Sequence, residues 1–389
     1  MANGGTWLPV FLLIVLVPYL LLNFYVGSRL WQYIFCHLMP GWGKAFWPLF
    51  WFIAVMPLAS RVKALPVPTQ VKDFLAFSGD YWLAALYYFL LLWLVADFGG
   101  FLVRRLGLLP VAAHRPLAVG IAAAALVVTL LAYGSWNARN PQVTSYEVTI
   151  AKPAGDLAEL RVVMVSDIHL GPIIGYERLE GLVAAINGLR PDLVLLPGDV
   201  IDENVSYFVE MKMAEPFRAM KPRFGVWAVF GNHEYISGKA EEVTDRLGEA
   251  GITVLRDEFV KVGESFYIVG RDDRRRAQFG GQARQELAAV MAGVDRRLPI
   301  LLMDHQPYNL DEAAGQGVDL QVSGHTHVGQ MFPNNFVTSR MFEVDWGYLR
   351  KGAYQIIVSS GFGTWGPPIR VGNRPEIVDI RIKFAAPVR

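Results

Sequence analysis

The chain has 389 residues and a formal net charge of +1, so no strong global field favours nucleic acid as a partner, and none is expected. Hydrophobic residues make up 53% of it and the mean hydropathy is +0.30, which excludes an ordinary soluble composition throughout. Cys36 is the single cysteine, which excludes an intrachain disulfide.

The apolar excess sits in the first third. Residues 7–26, 45–59, 81–103 and 117–134 each come near the ~20 apolar residues that cross a bilayer. The first run exceeds a cleavable signal core and no small-residue cleavage site follows, so a retained helix is expected. Trp31, Trp42, Tyr81 and Trp136 fall near span ends, where an aromatic belt belongs. The second run is short and carries Pro48 and Pro57, so it either crosses or re-enters, giving three or four spans. Arg29, Lys44, Arg104, Arg105 and Arg115 nearly balance Arg61, Lys63, Lys72 and Arg139 across alternate connections. The end spans tip that balance toward a C-terminal domain outside the cytoplasm. Asp97, costly in lipid, is expected to pair with Arg104 or Arg105.

Residues 1–136 therefore read as a membrane-helical region and 137–144, a polar stretch with a proline, as a linker. Residues 145–389 follow as a second domain with a different pattern. Alternation over 145–150 predicts an edge strand. Apolar runs predict strands at 160–165, 193–196, 226–230, 266–269, 300–303, 320–322 and 354–358. Helical spacing at 176–189, 240–250 and 282–292 separates several of them, so the domain is α/β with much parallel sheet.

Five of those strands end in the same kind of residue. "VVMVSDIHLGP" delivers Asp167 and His169, and "LVLLPGDVID" delivers Asp199 and Asp202. "VWAVFGNHE" delivers Asn232, His233 and Glu234, "ILLMDHQP" Asp304 and His305, and "LQVSGHTHVG" His325 and His327. One aspartate at a strand end is ordinarily a cap or turn former. Five such ends argue for one site, since parallel sheets build sites at strand ends. Oxygen and imidazole donors without thiolate suit Mn, Fe, Zn or Mg, and there are too many for one tetrahedral ion, so two divalent ions are expected. Gly198, Gly231 and Gly324 directly precede ligand candidates, where backbones must come close.

In that order, D-I-H, G-D-V-I-D, G-N-H-E, an isolated His and G-H-T-H resemble the motifs of the calcineurin-like metallophosphoesterases over roughly residues 143–384. The resemblance implies a four-layer α/β/β/α sandwich with a dimetal site. It implies that Asp167, His169 and His327 hold one ion, that Asn232, His305 and His325 hold the other, and that Asp199 bridges them. His233 is then no ligand; it stabilises transition-state charge or protonates the leaving oxygen, with Asp202 orienting it. Glu234 and Asp304 read as supporting residues. The implied reaction is hydrolysis of a phosphodiester, phosphomonoester or pyrophosphate by hydroxide shared between the ions, with activity falling below about pH 6 as His ligands protonate.

A membrane tether makes sense for a substrate that lives in the bilayer, and the late segment "SSGFGTWGPPIR" resembles a membrane-anchored subgroup. Lipid bilayer and a lipid-linked phosphorylated substrate are thus the expected partners. Residues 331–354 place Phe332, Phe336, Phe342, Trp346 and Tyr348 just after the last ligand motif, as an apolar lip or as rings buried on the sheet, with Arg340, Arg350 and Lys351 available to head groups. "RDDRRR", 271–276, reads as a solvated loop, with phosphate binding as the alternative. The competing functions are a catalytically silent receptor or scaffold and a transporter; intact ligands oppose the first, and the scarcity of intramembrane polar residues beyond Asn23 and Asp97 opposes the second.

Overall fold

The structure, a computed structural model, describes residues 12–62, 66–107 and 116–386. Trp7, Lys63 and Arg115, used above for a span and for charge bias, lie outside the described residues. The chain divides into two compact units, one made of the residues up to Gly134 together with Gly366–Pro368 and the other of Ser135–Trp365 and the residues from Ile369 on.

Among the described residues, four helices are long and apolar enough to cross a membrane: α1 (Ile14–Leu38), α2 (Pro40–Ser60), α3 (Thr69–Arg105) and α4 (Pro116–Ala138), whose last turn falls in the second unit. The proline-bearing run belongs to a helical span of 21 residues, with Pro48 and Pro57 inside it. Gly79 of α3 lies so near the Pro57 backbone that a Cβ would approach Pro57 N to 2.7 Å, the close approach that small residues allow between apolar helices. Asn23 is fully buried, and its amide oxygen accepts the Trp82 indole N–H at 2.9 Å. Asp97 pairs with Arg29 at 2.7 Å and accepts the Tyr25 hydroxyl, not Arg104 or Arg105 as expected. The reason is geometric. Arg104 lies seven residues on, about 10 Å along the same helix, whereas Arg29 comes from α1.

The second unit contains two six-stranded sheets. In chain order its principal elements begin with β1 (Gln142–Pro153), β2 (Glu159–Met164), α5 (Tyr176–Leu189), β3 (Leu193–Pro197), α6 (Val205–Glu210) and α7 (Ala214–Phe217). Then come β4 (Val226–Val229), α8 (Asn232–Ile236), α9 (Ala240–Glu249), β5 (Ile252–Val254), β6 (Glu258–Val262), β7 (Phe266–Gly270) and α10 (Leu287–Val290). The last are β8 (Ile300–Met303), α11 (Leu310–Gly315), β9 (Leu320–Ser323), α12 (Asn335–Met341), β10 (Gly347–Lys351), β11 (Tyr354–Val358) and β12 (Glu376–Ala385).

One sheet runs β1-β12-β2-β3-β4-β5 and the other β10-β11-β9-β8-β7-β6. Successive side chains of a strand point to opposite faces, and here both faces are covered. In β2, Val162 and Met164 join Leu195, Leu301, Met303 and Val322 in the layer between the sheets. Val163 points the other way, with Val194 and Leu196, under Leu179, Leu182 and Ile186 of α5 and Leu247 of α9. On the far side Leu287 of α10 and Leu310 of α11 cover Ile300, Leu302 and Ile356. The result is an α/β/β/α sandwich, as the resemblance implied.

The pairing is parallel from β2 to β5 and antiparallel at β12–β2, β6–β7 and β10–β11. β1 is indeed an edge strand, longer than 145–150. The helix expected at 282–292 shrinks to Leu287–Val290, because Asp257 and Glu312 capture the N–H groups of Gln285 and Leu287 before a regular turn can form. Four strands were not read from sequence: β5, β6, β10 and β12 are short, or carry charged residues on a half-exposed face.

Candidate metal centre and active site

Every ligand candidate lies just beyond the C-terminal end of a buried strand: Asp167 and His169 after β2, Asp199 after β3, Asn232 after β4, His305 after β8, and His325 and His327 after β9. The loops that carry them are fastened to one another by backbone bonds. His169 N donates to Asp199 O at 3.0 Å, Asp167 N to Gly198 O at 3.1 Å, and Gly324 N to His305 O at 2.9 Å. Five of the candidates, Asp167, His169, Asp199, His325 and His327, have φ between 47° and 72°. Left-handed backbone at non-glycine residues costs free energy and persists only where the surrounding structure holds it, commonly at functional sites.

Three overlapping groups of side chains can each hold a metal ion: Asp167, His169 and His327; His169, Asp199 and His233; and Asp199, His305 and His325. His169 Nε2 and His327 Nε2 stand 3.1 Å apart, and His327 Nε2 is 3.3 Å from Asp167 Oδ1. On the other side His305 Nε2 is 3.2 Å from Asp199 Oδ2. Asp199 is shared between two of the groups, and so is His169. The carboxylates also order the backbone, since His325 N donates to both oxygens of Asp167 and His233 N to Asp199 Oδ1. These contacts explain two glycines: a Cβ on Gly231 would sit 2.2 Å from Asp199 Oδ1, and one on Gly324 2.1 Å from Asp167 Oδ2.

The donor set fits divalent cations. Asn232 is buried with its amide oxygen unpartnered, an expensive arrangement unless that oxygen serves as a ligand. His305 directs Nδ1 at the carbonyl of Pro197, 2.9 Å away, which fixes the proton there and leaves Nε2 a lone pair for an ion. Burial outweighs the neighbouring acids at His325 and His327 and pushes their pKa down to about 3 and about 4, so both keep the neutral, ligating form well below the pH of about 6 at which protonation of His ligands was expected. Burial opposes ionisation of Asp167 and Asp199, yet the surrounding imidazoles hold both carboxyls well below the usual range.

His233, which stands in one of these groups with His169 and Asp199, has a further partner. Its Nδ1 lies 2.9 Å from Asp202 Oδ1, the pairing expected from the resemblance, and its ring stands edge-on to His169 at 4.6 Å. Burial disfavours its charge, but Asp199, Asp202 and Glu234 outweigh that and push its pKa up to about 9. Glu234 is engaged by the backbone. It accepts the N–H groups of Asp199, Ile201 and Gly231, pinning the loops that carry Asp199 and Asn232. Asp304 likewise faces away into Arg284 and Arg271, at 2.9 and 3.6 Å.

Sequence reasoning missed Arg370. It is completely buried, donates to the carbonyls of Ser360, Gly361 and Gly363, and reaches His327 Nδ1 at 3.0 Å. Its signal was the end of "SSGFGTWGPPIR", whose arginine carries no mark in sequence of being buried. The "RDDRRR" run is also corrected. Arg271, Asp272 and Asp273 are buried rather than solvated, because Arg271 pairs with Glu312, and Asp272 receives Arg256, Arg276 and the Tyr235 hydroxyl.

The aromatic segment divides. Phe342 is only 8% exposed, its ring 6.2 Å from that of His325, whereas Phe336, Met341 and Trp346 are 53, 58 and 51% exposed. Phe332 and Val337 are exposed beside Phe336. Lys351 is engaged by Asp311 and Glu343, which removes it from the cations available to head groups.

Comparison with known proteins meets this geometry at the same residues. The family model for calcineurin-like phosphoesterases matches residues 160–329. An uncharacterized metallophosphoesterase of Aquifex aeolicus is 35% identical over 265 residues, 66% of this chain and 98% of that protein. The chain belongs to the metallophosphoesterase family. A transmembrane protein with metallophosphoesterase domain from Danio rerio is 34% identical over 275 residues, 67% of this chain, and the match spans only 62% of that relative's length. A namesake from Bos taurus is 30% identical, over 70% of this chain and 64% of its own. Metallophosphoesterases are metal-dependent phosphoester hydrolases, and the four apolar helices of this chain accompany that domain.

Proposed function

We propose that this metallophosphoesterase is a membrane-anchored hydrolase that holds two divalent ions, manganese among the candidates, and cleaves a phosphoester or pyrophosphate bond of a lipid-linked substrate. The observation that carries the reading is the cluster of Asp167, His169, Asp199, Asn232, His305, His325 and His327 at strand ends of both sheets, with the buried Asn232 oxygen unpartnered. Asp167, His169 and His327 would hold one ion and Asn232, His305 and His325 the other, with Asp199 between them. When bound, two such ions lower the pKa of a water so that hydroxide is available near neutrality, and they neutralise charge on the phosphoryl oxygens.

The remaining work falls to the chain's own residues. Asp202 fixes the His233 ring through Nδ1, so that Nε2 is the atom that can give a proton to the departing oxygen. Its raised pKa keeps that proton in place at neutral pH. Glu234 and the glycines hold the ligand loops to within the small tolerance such chemistry needs. Support for a lipid-linked substrate comes from the four apolar helices and from the exposed Phe336, Met341 and Trp346 following the last ligand motif. The lean of Arg29, Arg104 and Arg105 supports a catalytic unit outside the cytoplasm.

The test offers purified full chain bis(p-nitrophenyl) phosphate, phosphatidic acid, farnesyl phosphate and farnesyl diphosphate, with Mn, Mg or Zn supplied in turn. Turnover of a lipid substrate that disappears in Asp199→Ala supports the reading. Bound metal with no turnover of any substrate would overturn it and favour the silent receptor or scaffold.

A further inference from the structure

The buried Arg370 spends its guanidinium on one turn of backbone. It donates to the carbonyls of Ser360 at 2.7 Å, Gly361 at 3.1 Å and Gly363 at 2.6 Å. Those carbonyls belong to a strap that lies on the loop of a ligand candidate. Phe362 N donates to Ser166 O at 3.0 Å and Gly363 N to Asp167 O at 2.7 Å. The approach is close: a Cβ on Gly361 would meet Asp167 Cβ at 2.8 Å, and one on Gly363 the Ile168 carbonyl at 2.2 Å. The same guanidinium touches His327 Nδ1 at 3.0 Å, while Nε2 of that ring stands 3.3 Å from Asp167 Oδ1.

A second buried polar residue holds the arginine. Asn137 lies in the last turn of α4, within the second unit, and is 3% exposed. Its amide nitrogen donates to the carbonyls of Arg370 at 3.0 Å and Asn373 at 2.7 Å, which uses both of its N–H groups. Beside it the Ala138 carbonyl accepts Arg178 at 2.9 Å, and the Arg178 guanidinium lies over the Phe362 ring at 5.6 Å, so this turn is fastened to the strap a second way. Buried carbonyls are costly to leave unpaired, so each bond in this relay fixes the one beyond it. The loops of Asp199 and Asn232 are pinned from elsewhere, by Glu234.

Resting on the dimetal reading above, we infer that Arg370 and Asn137 are positioning residues for one ion of the pair, the one assigned to Asp167, His169 and His327. Arg370 sets the Asp167 loop through the strap and the His327 ring by direct contact. Asn137 in turn sets Arg370. The ion assigned to Asn232, His305 and His325 depends on other loops.

The test is calorimetric titration of manganese into the metal-stripped full chain, with no substrate present. Wild type is expected to bind two ions, and Asp167→Asn identifies the one held by Asp167. Arg370→Gln should weaken that ion by about 10–100-fold, the range for partners outside the ligand set, and Asn137→Ala by about tenfold. The other ion should change less than about twofold in both. Arg370→Lys, which keeps the charge and some of the donors, should recover part of the loss. Lys152→Gln breaks a pair with Asp319, 2.6 Å apart before the start of β9, and controls for lost stability alone; it should leave both ions unchanged. Should Arg370→Gln not fold, Asn137→Ala decides the matter. Equal weakening of both ions in Asn137→Ala, or no change in either, would overturn the inference and leave the dimetal reading standing. A wild type that binds no ion would overturn both.

Discussion

Asp202 and His233 are the residues whose chemistry is most open to test. With its pKa at about 9 against an ordinary 6.5, His233 contributes stability that is fully present below pH 6.5 and is lost as pH rises through about 9. The same proton is the one offered to the leaving group, so kcat/KM should fall on the alkaline side as His233 deprotonates. Ions beside Asp199 offset that carboxylate's share, which moves the alkaline limb of the loaded enzyme below about 9. Asp202→Asn should shift the limb toward neutrality, and His233→Ala should lower kcat by about 10²–10⁴-fold and abolish the limb. A pH–rate profile of the three proteins decides it; an unchanged alkaline limb in His233→Ala would remove His233 from the proton-transfer role. Legibility at this scale was uneven. Asp167, His169, Asp199 and the rest could be read because each stands at the end of an apolar run, a pattern visible in sequence. Arg370 could not, since nothing local tells a buried arginine from a solvated one; its carbonyl partners lie seven to ten residues back on a loop whose folding brings them round. Nor did sequence disclose left-handed backbone at five of the ligand candidates, because the enrichment of Asp and His in that region is too weak to single out a position.

At the scale of elements, α12 and the residues after it carry exposed apolar side chains. α12 begins with Asn335, and Gly329, two residues past His327, is pressed so close to Asn334 and Asn335 that a Cβ there would meet backbone at 2.5–2.6 Å. Phe332 and Phe336 stack edge to face at 5.7 Å in front of this junction, and the Trp346 indole N–H is tied to Glu376 at 3.1 Å with half its surface still open. Phe336→Ser with Trp346→Ser should therefore lower turnover of a lipid phosphate by about tenfold and leave bis(p-nitrophenyl) phosphate within about twofold, as removal of surface-exposed apolar area predicts. Equal loss on both, measured side by side in detergent and in vesicles, would assign these residues to folding. Phe342 does not belong in that experiment, because it is buried and its loss would open a cavity. Sequence distinguished strands buried on both faces, such as β3 and β8, from their flanks with little error, because a short continuous apolar run bounded by Gly, Pro or Asp is the pattern of a strand covered on both sides. β12 was legible although it was not read: Asp379, Arg381 and Lys383 are the outward phase of a strict alternation with Ile380, Ile382 and Phe384, and Arg161 pairs with Asp379 through two bonds at 2.9 and 2.8 Å.

At the scale of the whole molecule, two chemistries are joined in one chain: helices with a composition for lipid, and a sandwich whose strand ends gather cation ligands. Sequence revealed the division at the change from apolar runs to alternation, but not the side of the membrane, for which the charge balance leans only through Arg29, Arg104 and Arg105. Gln278→Cys, placed on an exposed 3-10 turn of the second unit in a Cys36→Ser background, should react with a membrane-impermeant maleimide in intact cells. Labelling that appears only after permeabilisation would put that unit in the cytoplasm and reverse the lean. The most direct measurement of the central claim is metal content and turnover of wild type and Asp199→Asn, purified in parallel and supplied with manganese. Wild type should carry two ions per chain and hydrolyse bis(p-nitrophenyl) phosphate. The variant should hold fewer than two ions and lose more turnover than the about 10–100-fold that an outer-shell change costs. Full turnover in the variant, or a wild-type chain that binds no metal, would contradict a dimetal hydrolase.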